Sequence, residues 1–444
     1  MKLRATLMAA TAALVLTSGA ALAESGLEAQ SGESVFFRGW QYKTDIVQDN
    51  VDRYNGEQGG NVDYATVTGD YPAIMEQNLM AGAELDVLYA NPSQAGRYFD
   101  GGWIMPAEAL PNIDAIKADM YPNILDAWSY KGQLLGLSYF VSTRGVMHVN
   151  LEKYYELGYS DADFPADWDA LYDQLYEMRD KGLDQPFLPH WINEWYGISW
   201  GFDFEVMNRG GQVAHPDTHA PLLTTDADGA AYKTLEDWKR IWNDGLVPEE
   251  VLTYNESSYI DAYASGRYVF SPQQLYDLET FNREDRSQIA GHASLLPYQG
   301  QSWGLLDSAV YLMTSRERSD GHTDDVKRFA SWYGYQDQTG NVFVGNRWMQ
   351  ESMLFSGYKS VMESEAAAER MKSALAREQD IQAVLGVYAA TPYPKGIWSV
   401  VWAEEFNSWL KETLQEFVQD DGDIVETIEA INEEIADLNK KYGL

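Results

Sequence analysis

The sequence predicts an α/β protein in which strands and helices alternate along the chain. Three observations carry this. In the first third, short β-branched and aromatic runs alternate with segments of helical periodicity, the β-α-β-α-β order of a mostly parallel sheet covered by helices. The 444 residues suffice for two or three domains with a sizeable core. There is no cysteine, so neither a disulfide nor a thiolate metal site stands in for that core.

The elements follow in order. Lys2 and Arg4 precede an apolar run over 5–20, and Ala21-Leu22-Ala23 is a small-x-small cleavage site. This predicts an export signal over 1–23 and a mature chain starting at Glu24. The run is too short and alanine-rich for a good membrane span. No cysteine is present to carry a lipid, so a freely diffusing, monomeric, periplasmic protein is expected. A strand is expected over 35–38, with Trp40 and Gln41 at its exit. A second covers 62–67 and ends at Thr68-Gly69-Asp70. The next helix has Pro72 in its first turn, where a missing N–H costs nothing. Tyr71, Ile74, Met75 and Leu79 share one face of it, and Gly82 stops it. A third strand, 86–90, leaves at Asn91-Pro92.

From Tyr130 to Leu171 the chain reads as a Lys-Gly turn, an apolar strand over 134–139, and a Ser-Thr-Arg-Gly break at 142–145. A strand over 146–149 follows, then a helix from Leu151 that stops at Gly158, and a Pro-Ala-Asp-Trp helix start. Further helices are expected over 168–181 and 230–243. Trp168, Leu171, Leu175 and Met178 face inward on the first, and Leu235, Trp238, Ile241 and Trp242 on the second. A strand over 310–314 and helices over 324–335, 403–418 and 423–440 complete the pattern. Val425, Ile428, Ile431, Ile435 and Leu438 keep helical spacing in the last helix.

The residues Lys131-Gly132, Gly136-Leu137-Ser138-Tyr139, Thr143-Arg144-Gly145-Val146, His148-Val149-Asn150 and Pro165 to Leu171 form an order that resembles one family. It is the point where extracellular solute-binding proteins of sugar ABC transporters cross from lobe one to lobe two. Ser138 stands where the family has proline, and His148 where it has tyrosine. The resemblance implies a two-lobed periplasmic-binding-protein fold with a ligand cleft between the lobes and several chain crossovers. Lobe one would hold 24–142 and 306–350, and lobe two 143–305 and 351–444, with a hinge near 141–143 and 304–309. It also implies a receptor that closes on a sugar or small oligosaccharide and delivers it to ABC permease subunits, with no cofactor and no catalysis.

Acidic residues outnumber basic ones 68 to 32, giving a net charge of −36. That argues against nucleic acid and anionic membrane as partners. The charge is spread along the chain, as on a solvated surface. An anionic ligand is unwelcome unless arginines line its site.

Ligands of open α/β sheets sit at the carboxyl ends of strands. Trp40, Gln41, Asp70, Asn91 and Tyr139 lie just beyond predicted strand ends, although Asp70 also suits a helix cap. Aromatic faces stack on the C–H faces of sugar rings, and Trp40, Trp195, Trp200, Trp303 and Trp398 sit where no apolar period claims them. Trp195, Tyr196 and Trp398 are the positions that the resemblance favours for stacking. Gln274 follows a lobe-two strand, where the family often has a contact. Asp307 is a lone carboxylate in an apolar run, so it needs a partner such as an arginine or a ligand hydroxyl. Arg347, in a Gly-Asn stretch, reads as a ligand fork or a surface arginine.

Other classes of chemistry have weaker support. Gly197-Ile198-Ser199-Trp200-Gly201 fits the nucleophile elbow of a hydrolase, but no buried strand precedes it. A glycosidase carboxylate pair is the other enzymatic alternative, and a polyol, amine or peptide receptor the alternative within the same fold. His215 and His219 have Pro216 between them and no third ligand nearby, so zinc is not expected. Asp226-Ala227-Asp228-Gly229 lacks the later ligands of a calcium loop, and a helix cap by Thr225 or Asp226 accounts for it.

Overall fold

The computed structural model describes residues 31–194, 197–337 and 339–444. The expected export signal, Trp195 and Tyr196 lie outside the described residues. The strands are β1 (Val35–Gly39), β2 (Val62–Thr66), β3 (Val87–Ala90), β4 (Ile104–Met105), β5 (Ser129–Tyr130), β6 (Gln133–Leu134), β7 (Leu137–Asn150), β8 (Phe270–Gln274), β9 (Ala293–Leu295) and β10 (Leu305–Thr314). Eight of them form one sheet in the order β2-β1-β3-β10-β7-β8, with β4 against β10 and β9 against β7. As the sequence predicts, β1 runs parallel to β2 and β3. The returning strand β10 is antiparallel to β3 and β7. The Lys131-Gly132 turn has positive φ at both residues and joins β5 to β6 as a tight hairpin.

Local chemistry explains the element ends. Asp70 caps the helix Tyr71–Ala81 by accepting the Ala73 N–H at 3.2 Å, and Gly82 closes it in the left-handed region. The helix Ala230–Asn243 falls where its periodicity placed it, but its N-cap is Gly229 and not Thr225 or Asp226. In the helix Ile424–Tyr442, Ile428, Ile431, Ile435 and Leu438 are buried while Val425 is exposed.

One element differs from its prediction in a way that matters. The two strands expected around a Ser-Thr-Arg-Gly break are one 14-residue strand, β7. Gly145, at φ 83°, absorbs the irregularity as a bulge, and the register against β8 skips between Arg144 and Val146. The ladder to β10 runs through the same point, pairing Arg144 with Leu305 and Thr143 with Leu306. Ser138 also has a reason to replace proline here. Its N–H donates to the Tyr358 hydroxyl at 3.2 Å, a bond that proline cannot make.

The shared sheet organises two groups of elements. One comprises β1 to β4, the start of β7, the end of β10 and helices such as Thr44–Gln58, Tyr71–Ala81 and Asp320–Gly334. The other comprises the end of β7, β8, β9 and helices such as Trp168–Asp180, Gly197–Asn208, Ala230–Asn243 and Ala403–Gln419. The chain does not leave the first group at residue 351. Val141 N–H donates to Phe355 O at 2.8 Å, Tyr121 N–H to Gly357 O at 3.1 Å, and Asn123 to the carbonyls of Tyr388 and Thr391. At the crossing itself Thr391 and Thr143 join hydroxyls at 3.0 Å, and Leu306 N–H donates to Pro392 O at 2.8 Å. Three passages of chain therefore meet at one place.

Candidate functional site

Beside this crossing lies a cleft that opens to solvent. Asn91, Pro92 and Ser93 reach it from the carboxyl end of β3, and Leu306, Asp307 and Ser308 from β10. Trp200, Tyr393, Trp398, Ala403, Glu404 and Asn407 supply the second group's wall. Four of the sequence candidates, Asn91, Trp200, Asp307 and Trp398, are thus brought together.

Asp307 sits on β10 and is held at the crossing by residues of β7 and β8. Its Oδ2 accepts from Arg144 Nε at 3.3 Å and Nη2 at 3.2 Å on β7, and from Gln274 Nε2 at 3.1 Å on β8. Gln274 accepts in turn from the Ser142 hydroxyl at 3.0 Å. Gln274 therefore stands behind Asp307, itself only 3% exposed. Burial works against the Arg144 charge, but Asp307 and Glu256 outweigh it and hold its pKa above the usual arginine value. The same burial, with Glu256 adding repulsion, pushes the neighbouring Asp277 carboxyl up to about 8.

The aromatic wall is equally fixed. Trp200 lies 5.7 Å from Trp398 between ring centroids, and Tyr393 meets Trp398 edge-on at 5.8 Å. The Arg144 guanidinium sits over the Trp200 ring at 4.1 Å. Behind Trp200 stacks His190, whose pKa burial drives down to about 3, so it stays neutral. Trp398 donates its indole N–H to Asp203 Oδ2 at 3.0 Å. Asp203 is fully buried, and burial raises its pKa far above the carboxylate range.

The remaining candidates lie elsewhere. Trp40 and Tyr139 join Tyr71, Tyr89 and Tyr311 in an aromatic cluster at the strand ends of the first group, with Tyr139 stacked on Tyr89 at 4.7 Å. Gln41 is exposed, and Asp70 lines a neighbouring groove. Trp303 is a correction: it is fully buried against Trp168 at 5.3 Å and belongs to the core. Arg347 is another. It sits within the helix Phe343–Ser352 and not in a loop, and its guanidinium is occupied by Asp49, Asn50 and Glu351.

Sequence reasoning missed Ser93, Ser308, Glu404 and Asn407. Only Tyr393, in its Pro-Tyr-Pro turn, carried a signal; Glu404 reads as an ordinary acidic residue of a helix's first turn. The hydrolase motif fares differently. Gly197–Asn208 is a helix, and Ser199 is fully buried, donating to Asn407 Oδ1 at 3.1 Å. Among the described residues no strand runs into that helix, and Ser199 lacks the exposure of an elbow. Among the described residues no group of three acidic or histidine side chains is arranged to hold a metal, and no helix is long and apolar enough to cross a membrane.

Many solved structures share the fold, three of them as follows. Maltose-bound MalE3 of T. maritima has a TM-score of 0.69 at 15% identity, covering 91% of this chain and 99% of that one. The cyclic α-maltosyl-1,6-maltose binding protein of Arthrobacter globiformis has 0.71 at 14%, covering 91% and 98%. An ABC transporter solute-binding protein of Agrobacterium vitis with bound D-mannitol has 0.64 at 11%, covering 92% and 99%. No curated protein matches the chain in sequence. The profile of the bacterial extracellular solute-binding proteins matches residues 50–340, well over half of the chain. With the two-lobed fold and a cleft where its crossings meet, the chain belongs to the bacterial extracellular solute-binding protein family.

Proposed function

We propose that this solute-binding protein is the periplasmic receptor of an ABC importer for a sugar, a polyol or a small oligosaccharide. The observation that carries the reading is the cleft. Three aromatic rings, Trp200, Tyr393 and Trp398, line it together with Asn91, Ser93, Asp307 and Ser308. Rings suit the apolar faces of a polyhydroxyl ligand, and carboxylate, amide and hydroxyl groups suit its edges. The three structural neighbours carry maltose, a cyclic maltosyl-maltose or mannitol in their names, all polyhydroxyl compounds. Ligand touches both lobes only when they are closed, so it shifts the population toward closure, and the closed form engages the permease. We read the chain as a binder and not a hydrolase, because Ser199 is spent on Asn407 inside a helix.

The test is a thermal-shift screen of the mature protein across sugars and polyols, followed by calorimetry and mass spectrometry of the recovered ligand. One-to-one binding with the ligand recovered intact supports the reading. Turnover of the ligand, or binding by none of the polyhydroxyl compounds, would contradict it.

A further inference from the structure

The cleft has a one-sided charge. Among the described residues that line it there is no lysine, arginine or histidine, whereas Asp307 and Glu404 both are carboxylates. Arg144, which holds Asp307, is already engaged: it bonds Asp307 Oδ2 at 3.2 Å and lies 3.7 Å from Glu256. Every bond to Asp307 arrives at Oδ2, so Oδ1 remains open among the described residues. Glu404 forms no ion pair among the described residues. The adjoining groove, which shares Ser93, Ala403 and Glu404 with the cleft, adds Asp70, Glu76 and Glu405. Its one arginine, Arg97, is held by Glu76 at 2.5 Å.

These facts carry a statement about ligand charge. A carboxylate or phosphate entering the cleft would meet two carboxylates, with no free donor cation to compensate. A neutral polyhydroxyl ligand donates hydroxyls to Asp307 Oδ1 without that cost. An ammonium group gains from Glu404 and from the faces of Trp398 and Tyr393. We propose that the cleft is charge-selective. It accepts uncharged or ammonium-bearing polyhydroxyl ligands and rejects their acidic analogues, with Asp307 and Glu404 as the discriminating groups. This rests on the receptor reading above and narrows its ligand class.

The test uses matched series on the full mature chain. Neutral mono- to oligosaccharides and polyols are screened together with their amino, uronate and phosphate analogues. Each series that binds is then titrated at low salt and at about 0.5 M salt, where charge effects are screened. The acidic member should bind at least about tenfold more weakly than its neutral parent at low salt, and the amino member no more weakly than the parent. The acidic gap should narrow in high salt and in Glu404→Gln, an exposed and shape-conserving change. An acidic member that binds as well as its parent overturns the proposal, as does a gap that neither salt nor Glu404→Gln moves. Failure of every carbohydrate, whatever its charge, would instead remove the receptor reading itself.

Discussion

Trp398 shows how a single side chain is prepared for a ligand. One edge is fixed by the 3.0 Å bond to Asp203, and the ring borders the cleft. Among the described residues Asp203 Oδ1 has no partner, and its burial favours the neutral acid. Asp203→Asn should therefore fold well and keep affinity within about twofold, because an amide oxygen still accepts from the indole. Asp203→Leu should lose about tenfold in affinity and change the tryptophan emission, because the indole N–H is left buried without an acceptor. Calorimetry and fluorescence on the two variants check this; equal affinity in both would show that the bond positions nothing. Trp303 is the contrasting case. Trp303→Ala should cost about 3–5 kcal/mol of stability while the folded fraction keeps its affinity, which urea melts and titrations will measure. Both tryptophans lie outside any long amphipathic helix, so periodicity offered no means of separating them. Burial against Trp168 distinguishes Trp303, and that contact spans more than a hundred residues of chain. Glu404 and Asn407 were illegible for a similar reason: only the crossing of the chain brings their helix to Asp307.

Among elements, the β7–β10 pair is where the structure departs most from the sequence reading. The resemblance sets the crossovers near 141–143 and 304–309, and β7 and β10 pair side by side through those residues. The strand itself was split in two, because a Ser-Thr-Arg-Gly run looks like a turn. A bulge at Gly145 inside a continuous ladder is a tertiary solution to the same residues. Gly304 marks how tightly the strands approach, since a Cβ there would overlap the Arg144 carbonyl. Gly304→Ala should cost on the order of 1–3 kcal/mol and disturb the Arg144–Asp307 pair, visible as a lower melting temperature and weaker binding. The helix that follows β8 gives a pH prediction. Asp277 has a folded-state pKa of about 8, against an ordinary value near 4, so the native state holds a proton that the unfolded chain has lost. Its contribution is present in acid and is lost as pH rises to about 8. His148 and His190, lowered by burial to about 4 and about 3, act oppositely but only below about pH 6.5. Buried Asp203 and Glu205, the latter raised to about 7, act in the same direction, so stability should fall between about pH 6.5 and 8, and Asp277→Asn should make that slope shallower. A slope unchanged in Asp277→Asn would place the titration elsewhere.

At the scale of the whole molecule, the strand crossing and the cleft lie side by side. Three passages of chain meet where Thr143 bonds Thr391 and Leu306 bonds Pro392, and the cleft opens beside that meeting point. A ligand bound there should draw the two groups of elements together. Small-angle scattering should show a smaller radius of gyration at saturation, and an unchanged profile would argue against closure. The most direct test of the central claim is a crystal structure with the ligand identified by screening. The account predicts ligand density in the cleft, with a ring face on Trp398 and a hydroxyl or ammonium on Asp307 Oδ1, bordered by Asn91 and Trp200. Density elsewhere, for example in the groove beside Val213 and Ile397, with the cleft empty, would contradict it.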